Sequence, residues 1–417
     1  KNYANSTIYL FLGGFLIAAG IARWGLDKRI ALLTIRTVGT KPQQIILGIM
    51  LATGFLSAWV SNTATAAMML PIAIAVMKVV RKEEGTADDR RREHNFDVCI
   101  LLAIAYGASL GGVLTLIGTP PNGILVRFVE QTYNEQVNFF AWLKISVPVI
   151  AVMTVVTYLL LVKVLFRDMP AAIPGGREWI QEELTKLGRL SRGEWIVLWV
   201  FLMAALAWCF GPLLRSWEIG GTTPLKPLTD SVIAMTAGIL LFIIPVNYKK
   251  GVHALDWASA SGAIAWDVLL LFGGGLSMAA AIQSTGAADV VGACALSLSG
   301  LPEWGITAGV TFIATMASEV TSNTALAATM MPLVSAAASS LSLDPEGLLI
   351  AATIGTSLAF MMPVGTPPNA MVFGTGKIKI QEMVRAGFWL NLIAIVVITA
   401  ACLIICPGVI GTLTAPF

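Results

Sequence analysis

The sequence predicts an all-α polytopic membrane protein with inverted-topology repeats, two opposed re-entrant helical hairpins and two broken helices. Three observations predict this class. The chain has 417 residues, of which 56% are hydrophobic and only 12% charged, about half the charged share of a typical soluble domain. Its apolar runs are continuous and long enough to cross a bilayer. Its polar motifs occur twice in the same order. This composition excludes a soluble enzyme, a nucleic-acid-binding module and a secreted disulfide scaffold.

Eight apolar runs have the length and composition of membrane spans. Two of them are interrupted by a Gly-Thr-Pro-Pro-Asn segment, at Gly118–Asn122 and Gly365–Asn369. These interruptions predict helices that break within the membrane. The predicted spans are 7–22, 98–129, 139–166, 194–214, 229–246, 264–283, 348–376 and 386–407.

Two further apolar regions predict re-entrant hairpins, over 44–80 and 305–342. Each consists of two arms around a Ser-Asn-Thr sequence, at 61–63 and at 322–324. An arm of about 14–18 residues is roughly 21–27 Å long as a helix, which is short for a hydrocarbon core of about 30 Å. Two short arms around a polar tip therefore enter and leave on the same side.

The few polar windows predict how the chain is oriented. Residues 23–41 place basic residues among apolar ones at near-helical spacing, which indicates an amphipathic helix at the membrane surface. Residues 81–97 and 167–194 read as mixed-charge connectors. The side reached after the first span receives 22 of the 27 lysines and arginines. The positive-inside rule makes that side cytoplasmic, so loops 23–41, 81–97 and 167–194 are predicted to be cytoplasmic in a plasma membrane of the bacterial inner-membrane type.

An internal repeat relates the two halves of the chain. SNTATAAMMLP at 61–71 matches SNTALAATMMP at 322–332 in 8 of 11 positions, 261 residues later, and the same offset aligns residues within 11–25 with residues within 272–286. An odd number of crossings separates the copies, so they have opposite orientations. This is an inverted-topology repeat, the usual architecture of secondary transporters.

The repeat also predicts the domain organisation. Residues 1–166 form the first repeat, 167–193 a cytoplasmic loop, and 194–417 the second repeat. The spans predicted at 194–214 and 229–246 precede the second copy, and their counterparts would lie before residue 1. We therefore expect the parent protein to have further N-terminal spans.

The paired motifs predict a binding site between the hairpin tips. Irregular backbone within a membrane must face a cavity or be buried in protein. Thr63 and Thr324 suit helix N-caps, and proline near a helix start needs no N–H partner. Converging helix N-termini favour an anion, while free carbonyls and Ser/Asn oxygens favour a hard cation such as Na⁺. No lysine or arginine lies near either tip, so bound cations must balance the charge of the anion.

Two acidic residues lie in or beside the predicted membrane regions. Glu319 precedes the second Ser-Asn-Thr by three residues, and Asp267 opens the span at 264–283. An intramembrane carboxylate is a functional candidate. Glu319 is either a proton carrier or a buried hydrogen-bonding group that orders the hairpin, and the second reading is favoured. No Ser/His/Asp or HExxH arrangement is present, so the sequence does not predict an enzyme.

With paired SNT and paired TPP motifs on opposed hairpins, the chain resembles the divalent anion:sodium symporters, which include the INDY-type di- and tricarboxylate transporters. The resemblance implies eleven spans, of which this chain matches the fourth to the eleventh. It also implies a scaffold that forms a homodimer and an elevator-like transport domain. That transport domain would comprise 7–22, 44–129 and 264–376, with the scaffold formed by the rest.

The resemblance further implies two sodium sites and a substrate pocket. Ser318 departs from the pattern, because such proteins often have threonine there, but a hydroxyl is retained. The first sodium site would comprise Ser57, Ser61, Asn62 and Gly118, and the second Ser318, Thr321, Asn323 and Gly365. The substrate would contact Ser61, Asn62, Thr63, Thr119, Pro120, Ser322, Asn323, Thr324, Thr366 and Pro367.

The sequence thus predicts a sodium-coupled symporter that imports C4-dicarboxylates such as succinate, malate or fumarate by an elevator mechanism. Alternatives on the same fold are a sodium-independent dicarboxylate exchanger and a sodium-coupled citrate or sulfate transporter. An ion channel fits less well, because channels usually line a continuous pore. A membrane enzyme would need a nucleophile and base that the sequence lacks.

Overall fold

The computed structural model describes residues 6–410 except 82–85, 174–175, 219–221, 271–273, 275–276, 278–280 and 282–283. The predicted span at 264–283 begins with helical residues 266–270, and most of the rest of it lies outside the described residues. The same holds for most of the segment within 272–286 that the repeat aligns with 11–25.

The described chain is built almost entirely of helices. The first half contains α1 (Ser6–Arg23), α2 (Leu26–Val38), α3 (Pro42–Ser57), α4 (Asn62–Val80), α5 (Ala87–Leu114), α6 (Pro120–Tyr133), α7 (Phe139–Leu159) and α8 (Gly176–Leu187). A π-helical segment, Leu160–Leu165, extends α7. The second half contains α9 (Arg192–Cys209), α10 (Gly211–Arg215), α11 (Asp230–Ile243), α12 (Trp257–Ala263), α13 (Ala287–Leu296), α14 (Glu303–Ser318), α15 (Asn323–Ser340), α16 (Pro345–Ser357), α17 (Pro367–Phe373) and α18 (Ile380–Ile404).

A small antiparallel ribbon interrupts the helices after α11. It consists of β1 (Pro245–Asn247) and β2 (Val252–His253), joined by the 3-10 turn Tyr248–Lys250. Among the described residues, six helices are long and apolar enough to cross a membrane: α1, α4, α5, α7 with its π-helical extension, α9 and α18. Helix α4 has 19 residues, so this arm of the first predicted hairpin is longer than expected.

Two windows predicted as connectors are partly helical, so that prediction is wrong for these parts. Helix α5 begins within the charged window 81–97, because Thr86 and Asp89 cap its first turn reciprocally. The window 167–194 contains α8, and Ser191 and Glu194 form the same capping box at the start of α9. The capping box is a pattern visible in sequence, and it identifies both helix starts.

The two broken helices are present, but their breaks begin earlier than predicted. Helix α5 ends at Leu114, and α16 ends at Ser357. Of the residues expected to form the breaks, 120–122 and 367–369 instead start the next helices, because Pro120 and Pro367 occupy the first helical position. Proline suits that position, since its missing N–H would have no partner there.

Each hairpin packs tightly against the broken helix of its own repeat. The first hairpin comprises α3 and α4, and a Cβ added at Gly111 of α5 would collide with the Gly54 carbonyl of α3. The second hairpin comprises α14 and α15, and a Cβ added at Gly355 of α16 would lie 2.9 Å from the Ala314 Cβ of α14. Glycine at these crossings lets the helices approach backbone to backbone.

Most of the described helices form two packing groups, and α2 packs against α3 in one group and α1 in the other. Helix α1 packs along α11 and also against α9 and α12. Its contact with α11 is so close that a Cβ added at Gly13 would overlap the Ala234 backbone. Helices α7 and α18 pack instead against each other and join the hairpin group, where α7 contacts α5 and α18 contacts α14 and α16.

The predicted amphipathic segment 23–41 is helix α2, and a buried ion pair fixes it. Arg29 and Glu194 are 8% and 5% exposed. The Arg29 Nε lies 2.6 Å from Glu194 Oε1, and Nη2 lies 3.3 Å from Oε2. The same guanidinium donates to the carbonyls of Leu187 and Gly188 at the end of α8. One side chain therefore joins α2 to the end of α8 and the start of α9.

A second ion pair between α2 and α8 is more exposed and serves as a comparison. The Lys28 Nζ lies 3.1 Å from Glu183 Oε2, with the lysine side chain 42% exposed. Hydrogen bonds from Lys186 and Lys28 lower the pKa of Glu183. Exposed pairs of this kind contribute about 0–1 kcal/mol.

We predict that Arg29→Ala destabilises the protein by about 3–5 kcal/mol, because it leaves the Glu194 carboxylate buried without its partner. Lys28→Ala is the matched control, with an expected loss below about 1 kcal/mol. The measurement is thermal unfolding of the purified protein in detergent. Equal shifts of the unfolding midpoint in the two variants would contradict the assignment.

Candidate functional site

A cavity of about 730 Å³ lies between the two hairpin tips and the breaks of the two broken helices. This volume is within the range of about 300–1,000 Å³ that small-molecule sites occupy. All ten residues predicted to contact substrate line it: Ser61, Asn62, Thr63, Thr119, Pro120, Ser322, Asn323, Thr324, Thr366 and Pro367. Of the residues predicted for the cation sites, Gly118, Thr321 and Gly365 line it as well, while Ser57 and Ser318 are fully buried behind the tips.

In the described part of the chain, the four helices that follow the repeated motifs begin at this cavity, and their N-termini face it. The helices are α4 and α15 from the hairpins, and α6 and α17 from the broken helices. Ser61 caps α4 by accepting a hydrogen bond from the Ala64 N–H, and Ser322 caps α15 in the same way. The expectation that Thr63 and Thr324 are the caps is wrong, because each lies inside the first turn. The four N-termini carry partial positive charge and favour an anion in the cavity.

Three oxygen atoms cluster behind the first hairpin tip. The Ser57 Oγ lies 2.6 Å from the Asn62 Oδ1 and 2.8 Å from the Ala108 carbonyl oxygen. A hydroxyl has one proton to donate, so it can satisfy only one of these two acceptors. The cluster therefore has more oxygen lone pairs than protons, which is the property of a cation site with neutral ligands.

The second hairpin repeats this cluster. The Ser318 Oγ lies 2.7 Å from the Asn323 Oδ1 and 2.6 Å from the Thr356 carbonyl oxygen. Serine and asparagine are related to those of the first cluster by the 261-residue offset, so the two repeats build the same arrangement. Within the described residues, no group of three His, Cys, Asp or Glu side chains could hold a metal ion. The ligands present in both clusters are neutral oxygens, which suit a hard monovalent cation.

The asparagine of each GTPPN segment braces its break. The Asn122 Nδ2 donates to the Thr115 carbonyl at 2.7 Å, and also reaches the Gly112 carbonyl. In the second repeat the Asn369 Nδ2 donates to the Met362 and Ala359 carbonyls, at 3.0 and 3.1 Å. Both asparagines are fully buried. Sequence reasoning assigned them no role, although their recurrence in both motifs was a signal for one.

Glu319 holds the break of the second broken helix. Its carboxylate is 4% exposed and accepts hydrogen bonds from the Phe360, Met361 and Met362 N–H groups at 2.8–2.9 Å. It also accepts one from the Asn391 Nδ2 at 2.7 Å. This geometry fits the hydrogen-bonding reading of Glu319, but the group that it orders is the broken helix and not the hairpin itself.

The first repeat achieves the same connection without a carboxylate. The residue 261 positions before Glu319 is Ala58. Its carbonyl accepts a hydrogen bond from the Thr115 hydroxyl, which lies at the start of the first break. Both hairpin tips are thus tied to the break of their own broken helix, by different chemistry.

An aromatic cluster lies beside the first tip. The Trp59 ring stacks on the rings of Phe139 and Trp208, with ring centroids 5.9 and 6.1 Å apart. It meets the Phe201 ring edge-on, with centroids 4.9 Å apart. Phe201 and Trp208 belong to α9, so this cluster joins the hairpin to the other packing group.

Comparison with known proteins adds independent findings. A family model described as the sodium:sulfate symporter transmembrane region matches residues 1–406. The sodium-dependent dicarboxylate transporter SdcS of Staphylococcus saprophyticus is 38% identical over 411 residues, which cover 98% of this chain and 78% of that protein. The protein of the same name from Staphylococcus aureus strain MRSA252 is 38% identical over 413 residues, covering 99% and 78%.

A solved structure shares the fold. The crystal structure of the Alcanivorax borkumensis YdaH transporter, described as having an unusual topology, matches with a TM-score of 0.62 and 13% identity. The match covers 95% of this chain and 84% of that one. At this identity the likeness concerns the fold alone, and the fold class predicted from the sequence is confirmed.

Proposed function

The chain belongs to the sodium:sulfate symporter family, as its resemblance to the divalent anion:sodium symporters predicted, and we propose that it is a sodium-coupled symporter for C4-dicarboxylates such as succinate, malate or fumarate. One observation carries the proposal. Two equivalent clusters of neutral oxygens flank a cavity at which four helix N-termini converge. Relatives that are 38% identical and named sodium-dependent dicarboxylate transporters support it. Membership of a transporter family also supports the expectation that the chain is not an enzyme.

Na⁺ is the coupling ion in this proposal because it prefers oxygen ligands and tolerates neutral ones. The first site adds the Ala108 carbonyl to the predicted set around Ser57 and Asn62. The second adds the Thr356 carbonyl to the set around Ser318 and Asn323. Neutral oxygens do not titrate near neutral pH, so these clusters carry no transferable proton. Glu319, the carboxylate next to Ser318 of the second cluster, is committed to four hydrogen bonds.

The substrate carboxylates would each meet one hairpin tip. Ser61–Thr63 and Ser322–Thr324 face the cavity from the two repeats, and each provides hydroxyl, amide and helix N-terminal donors. Among the described residues, neither lysine nor arginine lines the cavity. A dianion bridging the tips would therefore depend on the two bound sodium ions for charge balance.

We predict that uptake of labelled succinate into proteoliposomes requires Na⁺, rises steeply with its concentration, and persists when a protonophore collapses the pH gradient. Glu319→Gln should lower the rate, because an amide nitrogen cannot accept the N–H groups that the carboxylate accepts, but it should leave the sodium dependence in place.

Two results would contradict sodium coupling. Uptake driven by a pH gradient in sodium-free buffer, and lost in Glu319→Gln, would establish proton coupling. Uptake that ignores both gradients but requires dicarboxylate inside the vesicles would establish an exchanger. Competition by unlabelled citrate and sulfate decides between C4-dicarboxylates and the other substrate classes.

We predict that Asn62→Ala and Asn323→Ala each nearly abolish uptake while the protein stays folded. Each amide would contact both ion and substrate, and an unpartnered buried group costs about 1–3 kcal/mol, up to about a hundredfold in affinity. Asn95→Ala is the matched control, because this amide binds the Asp168 carbonyl away from the cavity. Near-normal uptake in both tip variants would remove these residues from the site.

We propose that alternating access is an elevator-type movement between the two packing groups. Helices α1, α9, α11 and α12 would form the scaffold, and the hairpins with α5, α7, α16 and α18 the moving body. Relative to the division that the resemblance implied, this grouping places α1 in the scaffold and places α7 and α18 with the hairpins. Helix α2 packs on α3 of the first hairpin, and Arg29 ties it to the start of α9, so α2 would join the scaffold to the first hairpin.

We predict that crosslinking the hairpin tip to α9 stops transport. Trp59 and Phe201 are in ring contact, so Trp59→Cys with Phe201→Cys in a cysteine-free background places a pair across the boundary. A short thiol-cleavable crosslinker should block uptake, and reductant should restore it. Each single-cysteine variant, treated identically, is the control. Unimpaired uptake after complete crosslinking would argue for local gating.

We also propose how the chain is oriented in the membrane and that it forms a homodimer. The distribution of lysine and arginine supports a plasma-membrane protein with 23–41, 81–97 and 167–194 on the cytoplasmic side. A cysteine introduced at Asp88 would then react with an impermeant reagent only from that side. The scaffold is proposed to form a homodimer, which mass measurement of the detergent-solubilised protein would test.

A further inference from the structure

Asp267 lies in the wall of the central cavity. It lies in the first turn of a helix whose described first residues are 266–270, and its neighbours Ala265 and Val268 also line the cavity. It is the one ionisable residue among the residues that line this cavity in the described part of the chain. A cavity whose helix N-termini and hydroxyls suit anions thus contains a negative charge.

The structural contribution of this carboxylate is limited to its position in the first turn of a helix, where an acidic side chain is favourable. The side chain is exposed, and within the described residues it makes neither a hydrogen bond nor an ion pair. Glu319 differs from Asp267, because its carboxylate accepts hydrogen bonds from four donors and does not line the cavity. The repeat gives no reason for an acid here either, since the residue 261 positions earlier is Ser6.

We propose that Asp267 sets the charge selectivity of the cavity, admitting dicarboxylate dianions and disfavouring trianions. The inference rests on the proposed function and names its specificity-determining residue. Coulomb repulsion from a fixed carboxylate grows in proportion to the charge of the ligand. Two sodium ions balance a dianion, whereas a trianion would leave an uncompensated charge facing Asp267.

The size of the effect follows from the wet environment of an exposed side chain. Across about 8 Å of largely aqueous cavity, each unit of ligand charge changes the dissociation constant roughly threefold. Removing the carboxylate should therefore strengthen the binding of a dianion about ninefold and the binding of a trianion about thirtyfold. The selectivity between them falls about threefold, and added salt should shrink this difference by screening.

The experiment compares dissociation constants of succinate and tricarballylate, both fully ionised at pH 8, for the purified full chain in the presence of Na⁺. Ligand-induced shifts in thermal unfolding give these constants without requiring transport. In Asp267→Asn the ratio of the tricarballylate dissociation constant to the succinate dissociation constant should fall about threefold. At a high concentration of choline chloride, this difference between the variant and the wild type should become smaller. Asp267→Glu keeps the charge and should keep the wild-type ratio.

The matched control is a variant that removes a carboxylate outside the cavity. Asp88→Asn removes the same charge from the exposed first turn of α5, outside the cavity, and should leave the ratio unchanged. Equal strengthening of both ligands, or no change, in Asp267→Asn would overturn the proposal. A weaker apparent affinity for Na⁺ with an unchanged ratio would also overturn it and would assign Asp267 to cation attraction. If the wild-type protein binds neither acid, the proposed function fails instead.

Discussion

Backbone groups that no helix satisfies are the constraint on which this structure depends. Lipid offers no hydrogen bonds, so each break within a membrane fold must find partners in the protein. Asn122 and Asn369 supply donors to the carbonyls of the two breaks, and Glu319 accepts from three consecutive N–H groups. Because these braces hold the breaks, the helix starts that follow them can face a cavity.

The same constraint explains why the two repeats are similar in geometry but different in chemistry. The serine–asparagine clusters are equivalent in both tips. The tie between tip and break is a threonine hydroxyl in one repeat and a buried carboxylate in the other. Inverted repeats share a backbone path, and each half satisfies that path with the side chains that its own neighbours allow.

Environment also separates the two acidic residues near the cavity. Glu319 is buried, and its charge is spread over four hydrogen bonds, which makes it part of the framework. Asp267 is exposed in the cavity wall, where its field acts on whatever enters. A charge in this fold thus has a structural or a selective role according to its partners, and neither role could be assigned from residue type.

The sequence by itself determined the helical membrane class, the two hairpins and the two broken helices, because repeated motifs and apolar periodicity are local properties of the chain. The ten residues that meet at the cavity followed from the resemblance of those motifs to a known family. The sequence also contained the capping boxes at Thr86 and Ser191, which mark helix starts within windows that their mixed charge led us to predict as connectors. Only the tertiary structure decided the partners of Glu319, one of which, Asn391, lies 72 residues away. It likewise decided the packing of α1 on α11 and the exposure of Asp267 to the cavity. These depend on which distant helices are neighbours, and the spacing of residues along one chain does not encode that directly.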